Sequence, residues 1–208
     1  MNLILQGLKP DRATIDRIAG MVEAQRVTPI HAQAWRCEGV HASAALEEQV
    51  EAECFAAELD HTFIDPGREL AEFKLVAMDM DSTLITIECI DEIADMQGLK
   101  PQVAEITEAA MRGEIEFRES LTRRVALLKG LDAAALQRVY DERLQLSPGA
   151  ENMLNAVKAA GLKTLLVSGG FTFFTDRMKT RLGLDYTHSN VLEIVDGKLT
   201  GNVVGGIV

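Results

Sequence analysis

The spacing of apolar residues over the first 70 positions follows strand and helix periods in turn, which predicts a small α+β domain. Its predicted elements, in chain order, are a strand over residues 3–5, a helix over 11–24, an extended stretch over 28–35 and a helix over 44–59. Ser43 precedes the second helix and is its candidate N-cap, because a serine hydroxyl accepts a hydrogen bond from a free N–H of the first turn. Asp65-Pro66-Gly67 is a turn signal, and it predicts a boundary between domains over residues 1–70 and 71–208.

A second pattern begins with the apolar run Leu75–Met78, which leads straight into Asp79 and Asp81. A continuous apolar run of this length predicts a buried strand in a parallel sheet. From residue 88 to about 145 the apolar spacing is purely helical. The predicted helices are one ending at Gly98, one beginning at Pro101, one over residues 117–129 and one behind the candidate cap Asp132. An all-helical insert therefore follows the first strand of the second domain.

Beyond the insert, the pattern predicts a helix, a strand, a helix and a hairpin. Ser147-Pro148 suits the N-cap and first turn of a helix that ends near residue 160. A strand over residues 163–167 ends in Ser168-Gly169-Gly170, ahead of a helix over 171–182. A helix between two apolar strands forms a βαβ unit, so we predict a doubly wound α/β core with a parallel sheet. Asp196-Gly197 separates two alternating runs and predicts a β-hairpin.

Composition and charge narrow the classes of function. The chain has 208 residues, of which 47% are apolar and 25% charged, as is typical of globular proteins. Its net charge of -11 argues against nucleic acid or anionic membranes as partners, because both would be repelled at long range. The sequence shows neither a signal-peptide pattern nor an apolar run of about 20 residues. Cys37, Cys54 and Cys89 are widely spaced, so we predict reduced thiols in a cytoplasmic protein.

Asp79 and Asp81 are the first candidates for chemistry, because open α/β sheets bind their ligands at the carboxyl ends of the strands. One carboxylate can attack as a nucleophile while the other transfers a proton, and both can help to hold a divalent cation. A solvated acidic turn is the alternative interpretation. A calcium-binding loop fails, because Leu84 stands at its glycine position and Ile90 at its last-ligand position.

Ser168-Gly169-Gly170 follows the next predicted strand. A serine hydroxyl, glycine amides and a helix N-terminus together favour anion binding. A tight turn between strand and helix is the structural alternative, and the motif matches neither a P-loop nor a dinucleotide fingerprint. Two ligand-competent strand ends in one sheet are much less expected by chance than either one alone.

These motifs resemble those of the phosphoserine phosphatases of the haloacid dehalogenase-like superfamily. DMDSTLITIECIDEIADMQG is similar to the first motif of that family, and LLVSGGF is similar to its second. The helical insert AAMRGEIEFRESLTRRVALLKGL resembles the cap of the same family. The resemblance covers about residues 73–208 and implies a haloacid dehalogenase-like core with a helical cap insertion. It also implies a magnesium-dependent phosphatase that forms an aspartyl-phosphate.

The resemblance further implies a role for each matching residue. Asp79 is implied as the nucleophile and Asp81 as the general acid and base, and both are implied as ligands of Mg²⁺. The implied substrate-binding residues are Glu88, Met111, Phe117, Arg124, Ser168 and Gly169. From the residues alone, Glu88 also fits a first-turn helix acid, Arg124 a solvated charge, and Met111 and Phe117 ordinary packing. We interpret His31, His41, His61 and His188 as structural.

Two further motifs of the resembled family have no match here. The family carries a lysine and then a Gly-Asp-x-x-Asp type motif, whereas Lys198 is the sole cation after Asp196. We expect that residues 1–208 belong to a truncated or incomplete chain with little phosphatase activity and a weak magnesium site. We also expect the strand before Asp79 to have an unpaired apolar edge that favours aggregation or a homodimer.

The leading hypothesis is a phosphomonoesterase that hydrolyses O-phospho-L-serine, a small-molecule substrate, in the last step of serine synthesis. One alternative is a sister phosphatase for another small phosphate ester. Another is a catalytically inactive module in which the N-terminal domain binds an amino acid. The element order of residues 1–70 resembles that of ACT-like regulatory domains, which is an analogy of fold and does not determine function.

Overall fold

The computed structural model describes residues 1–208, which form two compact units, Met1–Glu69 and Leu70–Val208. Each unit has its own hydrophobic core. No helix in the structure has both the length and the apolar character needed to cross a membrane.

The first unit is a four-stranded antiparallel sheet with two helices. Its elements are β1 (Asn2–Gln6), α1 (Arg12–Met21), β2 (Arg26–His31), β3 (Ala34–Glu38), α2 (Ala44–Ala56) and β4 (Asp60–Ile64). The strand order β2-β3-β1-β4 with this βαββαβ sequence is the ferredoxin-like arrangement. Alternation along β1 buries Leu3 and Leu5 against α1 and α2 residues such as Ile15 and Val50.

Helix starts in this unit follow the sequence. Asp11 caps α1, because its carboxylate accepts a hydrogen bond from the Thr14 N–H over 3.0 Å. The predicted cap Ser43 is confirmed, and its hydroxyl accepts from the Leu46 N–H over 3.4 Å.

Two predictions for this unit are wrong. The extended stretch over residues 28–35 is in fact a hairpin, in which β2 and β3 pair with Thr28 opposite Arg36. The sequence lacks a glycine-based turn signal there, so the chain reversal between His31 and Ala34 is not predicted. The strand β4 is also missing from the prediction, and it pairs with β1 with Leu3 opposite Phe63.

The second unit has a four-stranded sheet in the order β5-β6-β7-β8. Its strands are β5 (Leu75–Met78), β6 (Lys163–Phe171), β7 (Tyr186–Val195) and β8 (Lys198–Val204). The pairs β5–β6 and β6–β7 are parallel, and β7–β8 is the predicted hairpin. This parallel α/β core confirms the predicted fold class.

Four helices form the insert between β5 and the rest of the core. They are α3 (Cys89–Asp95), α4 (Lys100–Met111), α5 (Phe117–Leu127) and α6 (Ala134–Glu142), and the core helices are α7 (Ala150–Ala159) and α8 (Thr172–Leu182). The predicted helical insert is therefore confirmed. Leu121 and Val125 of α5 pack in the same core cluster as Ile93 of α3.

Three details of the second unit differ from prediction. β5 lies at the sheet edge with one side unpaired, as expected for the strand before Asp79, but the predicted burial of this strand is wrong, since it is only half-buried and Leu75 is 48% exposed. Ser168-Gly169-Gly170 lies in a bulge within β6, whose pairing shifts between Val167 and Phe171, and α8 begins only at Thr172. Helix α7 is preceded by Gly149 in a left-handed conformation, φ 84°, and not by a Ser147 cap.

Candidate active site

The end of β5 turns sharply and presents Asp79 and Asp81. A single turn over Met80–Leu84 follows the strand and is closed by a π-type hydrogen bond from the Ile85 N–H to the Met80 carbonyl over 3.0 Å, although Asp81 and Ser82 within it have non-helical backbone angles. Met80 and Leu84 are buried, which anchors the turn in the core. The Asp79 carboxylate accepts a hydrogen bond from the Met80 N–H over 2.7 Å. The turn thus fixes both carboxylates beside the strand end.

Asp81 is held from two sides. Its Oδ1 accepts from the Cys89 N–H over 2.8 Å, and its Oδ2 accepts from the Ser168 hydroxyl over 3.1 Å. Burial raises the pKa of the Asp81 carboxyl, and these hydrogen bonds oppose the rise only in part. A carboxyl that keeps a proton more readily than an ordinary aspartate is suited to general acid catalysis.

The bulge of β6 brings glycine backbone to the carboxylate pair. The Gly170 N–H donates to the Ser168 hydroxyl oxygen over 2.9 Å. A Cβ on Gly170 would lie 2.8 Å from Oδ2 of Asp81, so a side chain at this position would collide with the site. The amide of Asn190, which is buried, donates to the Gly169 carbonyl over 2.8 Å and fixes the bulge from below.

The helical insert closes the other side of a cavity of about 190 Å³. Glu88 precedes α3, while Phe117 and Arg124 lie two turns apart on α5. The residues lining the cavity are Asp79, Asp81, Glu88, Ile90, Phe117, Leu121, Arg124, Gly169, Gly170 and Phe171. Carboxylates of the core thus face one guanidinium and one carboxylate of the insert.

Arg124 has unused hydrogen-bonding capacity. Its Nε is buried without a partner, and its Nη1 reaches only the Thr107 hydroxyl, at 3.5 Å. Burial lowers the pKa of the Arg124 guanidinium, which nevertheless stays charged as arginine does in proteins. An unsatisfied cation beside a cavity favours an anionic ligand group, since such a partner would restore the lost hydrogen bonds.

Most of the residues that the sequence predicts for the site lie together. Six of them line the cavity: Asp79, Asp81, Glu88, Phe117, Arg124 and Gly169. Ser168 does not line the cavity, but its hydroxyl donates a hydrogen bond to Asp81, which does. Met111 does not line it and is 83% exposed, so its substrate contact remains a prediction. Two lining residues, Ile90 and Leu121, lie in no motif that would predict them, whereas Gly170 and Phe171 belong to the LLVSGGF segment that resembles the family's second motif. None of the four histidines lines the cavity.

Asp79 and Asp81 fit part of a magnesium site. Carboxylate and carbonyl oxygens are the ligands that Mg²⁺ prefers, and both residues supply them at one turn. No group of three or more His, Cys, Asp or Glu side chains in residues 1–208 is arranged to hold a metal ion. The pair therefore provides some of the oxygens that a complete octahedral site needs.

Comparison with known proteins adds to this geometry. The family model of haloacid dehalogenase-like hydrolases matches residues 73–204. A phosphoserine phosphatase of Polaromonas sp. (strain JS666) is 64% identical over 140 residues, which are 67% of this chain and 59% of that protein. The chain thus spans about three fifths of the length of this curated relative.

Solved structures agree with this assignment. A crystal structure of a HAD family hydrolase from Salmonella enterica serovar Typhi superposes with a TM-score of 0.80 at 30% identity and covers 99% of this chain and 72% of its own. A substrate-bound phosphoserine phosphatase complex has a TM-score of 0.59 at 42% identity and covers 62% of this chain and 61% of its own. On the match of the family model and the shared parallel core, the chain belongs to the haloacid dehalogenase-like hydrolases.

Proposed function

We propose that the protein is a phosphomonoesterase that hydrolyses O-phospho-L-serine to L-serine and phosphate, the last step of serine biosynthesis. The observation that carries the proposal is one cavity in which Asp79 and Asp81 face Glu88 and Arg124. The first pair suits phosphoryl transfer, and the second pair suits the two charges of an amino acid. The relatives named phosphoserine phosphatase support the same substrate.

In the first step, a carboxylate oxygen of Asp79 attacks the phosphorus of the ester. The P–O bond to the serine oxygen breaks, and the phosphoryl group becomes bound to Asp79 as an acyl phosphate. Asp81 donates its proton to the departing serine oxygen, which leaves as a hydroxyl. The raised pKa of Asp81 favours the protonated form that this step needs.

In the second step, water attacks the phosphorus of the acyl phosphate. Asp81, now a carboxylate, takes a proton from this water, and the bond between phosphorus and Asp79 breaks. Phosphate leaves and the Asp79 carboxylate is restored. Before the substrate binds, the hydroxyl of Ser168 donates to Asp81 over 3.1 Å and so orients its carboxyl.

Substrate recognition divides between the two sides of the cavity. Ser168 and Gly169 bind the phosphate group, Arg124 pairs with the substrate carboxylate, and Glu88 pairs with its ammonium. Phe117 and Met111 cover the bound amino acid. A bidentate pair with Arg124 favours an amino acid over phosphate esters that lack a carboxylate, which separates this proposal from a sister phosphatase.

Asp79 and Asp81 would hold Mg²⁺, which would let an anionic carboxylate approach an anionic ester. All three cysteines are free and buried, which supports a reducing cytoplasm. We also propose that the N-terminal unit is an ACT-like regulatory domain and that the exposed edge of β5 supports a homodimer.

A phosphoenzyme trap tests the function. The complete protein is mixed with phosphoserine and Mg²⁺, quenched in acid and digested, and mass spectrometry locates the phosphate. We expect phosphate on Asp79 and release of serine and phosphate in equal amounts. The variant Asp79→Asn should give neither. Turnover without a phosphorylated Asp79, or turnover of other phosphate esters in preference to phosphoserine, would contradict the proposal.

A further inference from the structure

Ser82 has a backbone conformation that serine rarely adopts. Its φ is 50°, in the left-handed region, and it lies inside the π turn that carries Asp79 and Asp81. A residue with a Cβ pays for this conformation, so surrounding contacts must hold it there. The Ser82 N–H donates to the Ile87 carbonyl over 3.1 Å, which closes the loop on itself.

This conformation aims the Ser82 hydroxyl at Glu88. The hydroxyl donates to Oε1 of Glu88 over 2.6 Å, which is a short hydrogen bond to a charged acceptor. Glu88 lines the cavity and makes no capping bond to α3, so its carboxylate is held by the Ser82 hydroxyl and not by its own helix. Ser82 is thus the hydrogen-bond donor that fixes the Glu88 carboxylate.

Charge repulsion explains why such a donor is needed. Glu88 shares the cavity with the carboxylates of Asp79 and Asp81, and like charges push the Glu88 side chain outwards. Without a tether, a glutamate at the start of a helix would turn to solvent, where its carboxylate is better hydrated. The unfavourable backbone conformation of Ser82 is therefore associated with one gain, the fixed position of the Glu88 carboxylate.

We infer that Ser82 is a positioning residue for specificity: its hydroxyl holds Glu88 in the cavity so that the carboxylate receives the ammonium group of an amino acid phosphate ester. This inference rests on the proposed function, because it assigns Glu88 to the substrate ammonium. Ser82 itself does not line the cavity. Its effect should therefore appear only with substrates that carry the ammonium.

Two substrates and two variants test the inference. L-glycerate 3-phosphate replaces the ammonium of phosphoserine by a hydroxyl and keeps both anionic groups. Ser82→Ala in the complete protein should lower kcat/KM for phosphoserine about 10- to 100-fold more than for L-glycerate 3-phosphate. Ser82→Gly removes the same hydroxyl but accepts a positive φ at no cost, so it should unfold at a higher temperature than Ser82→Ala.

The two variants separate the hydroxyl from the backbone. Equal loss of selectivity in both variants supports the inference, whereas selectivity kept in Ser82→Gly would overturn it and assign the effect to strain. In a Glu88→Gln background, Ser82→Ala should change selectivity by less than about twofold, because the acceptor charge is already gone. An unchanged effect of Ser82→Ala in that background would also overturn it.

A structural measurement distinguishes failure of the inference from failure of the proposed function. In a crystal structure of the Ser82→Ala variant, the Glu88 carboxylate should leave the cavity or take several rotamers. An unmoved carboxylate would overturn the positioning role even if phosphoserine is the substrate. If the unsubstituted protein does not hydrolyse phosphoserine, the proposed function fails, and a displaced Glu88 would still support the tether while leaving its ligand to be reassigned.

Discussion

The hydroxyl of Ser168 donates to Oδ2 of Asp81 over 3.1 Å, and this bond joins the ends of two neighbouring parallel strands. Ser168 also accepts from the Gly170 N–H over 2.9 Å, so backbone, hydroxyl and carboxyl form one chain of hydrogen bonds. These hydrogen bonds hold the largely buried carboxyl of Asp81 in place without neutralising its charge. The buried carboxyl of Asp81 therefore lowers the stability of the fold but serves proton transfer. A single substitution of Asp81 should change stability and activity in opposite directions.

We expect Asp81→Asn to lower kcat about 10²- to 10⁴-fold, because the amide cannot give up or take a proton. It should at the same time raise the free energy of unfolding at pH 7 in the absence of magnesium. The pKa of Asp81 is raised in the folded protein, so the unsubstituted protein gains stability from this group as the pH falls and loses it as the pH rises. Phosphate release near neutral pH and chemical unfolding between about pH 3 and 8 measure both effects.

The stability gain of Asp81→Asn should shrink at acid pH, where the aspartate is protonated in both folded and unfolded chains. Asp196→Asn is the control, since Asp196 stands in the exposed turn between β7 and β8. A stability gain that does not depend on pH would assign the effect to packing and not to charge.

Much of the second unit follows from sequence because local pattern and fold agree there. The helical insert has apolar spacing on every segment, and β5 leads straight into Asp79. The degree of burial of β5 cannot be predicted from its sequence. An apolar run is found in central and edge strands alike, and only the strand order of the sheet shows which one β5 is. The strand β4 comes three residues after α2 without a strong turn signal, so pattern alone does not separate it from the linker.

Only part of the candidate site can be predicted from the sequence. Asp79 and Ser168 stand at ends of apolar runs, which is a local feature. The proximity of Arg124 to Glu88 depends on how α3, α4 and α5 pack, and no local pattern gives that distance. The left-handed φ of Ser82 cannot be predicted either, because serine favours ordinary turn conformations and this one depends on its contacts with Ile87 and Glu88.

Gly169 is expected to control where Phe117 lies. A Cβ on Gly169 would come within 2.9 Å of the Phe117 ring. Because Phe117 is 50% exposed, its ring can move away, so Gly169→Ala should cost less than about 1 kcal/mol of stability. The displaced ring should lower kcat/KM for phosphoserine by about 10- to 100-fold, since small misplacements are costly in active sites.

Two variants control the Gly169→Ala experiment. Gly206→Ala should leave kinetics unchanged, because no heavy atom lies within 4 Å of its Cβ position. Adding Phe117→Leu to Gly169→Ala should produce less than the product of the two single effects, since the shorter side chain removes the collision. Full additivity of the two substitutions would show that the collision does not matter.

Asp185 should contribute to stability with the opposite pH dependence to Asp81. Its carboxylate pairs with Lys163 over 2.6 Å and accepts from the Thr164 N–H and hydroxyl over 3.0 and 3.1 Å, and these contacts lower the pKa of Asp185 to about 2. Its stabilising effect is present above the ordinary aspartate pKa and is lost as the pH falls from about 4 to 2. Asp185→Asn should thus destabilise the second unit at pH 7 and not at pH 2.

The chain provides an internal control for Asp185→Asn. Trp35 is the single tryptophan and lies in the first unit, so its fluorescence follows that unit. We expect Asp185→Asn to shift the unfolding transition seen by circular dichroism at pH 7 and to leave the fluorescence transition in place. An equal shift in both signals, or a shift of the same size at pH 2, would contradict this role for the carboxylate.

Arg124 should discriminate by the carboxylate of the substrate. O-phosphoethanolamine keeps the ammonium and phosphate of phosphoserine but lacks the carboxylate. Arg124→Ala should lower kcat/KM for phosphoserine by about 10²-fold or more, the effect of losing one partner of a desolvated charge pair at about 2–5 kcal/mol, and should change that for phosphoethanolamine far less. Arg124→Lys should recover only part of the loss, because an ammonium cannot form the bidentate pair.

Arg123→Ala is the matched control, since Arg123 is exposed and pairs with Glu119 on the outside of α5. Its kinetics with both substrates should equal those of the unsubstituted protein within about twofold. Equal losses for both substrates in Arg124→Ala would mean that the guanidinium binds the phosphate and does not distinguish an amino acid from any other ester.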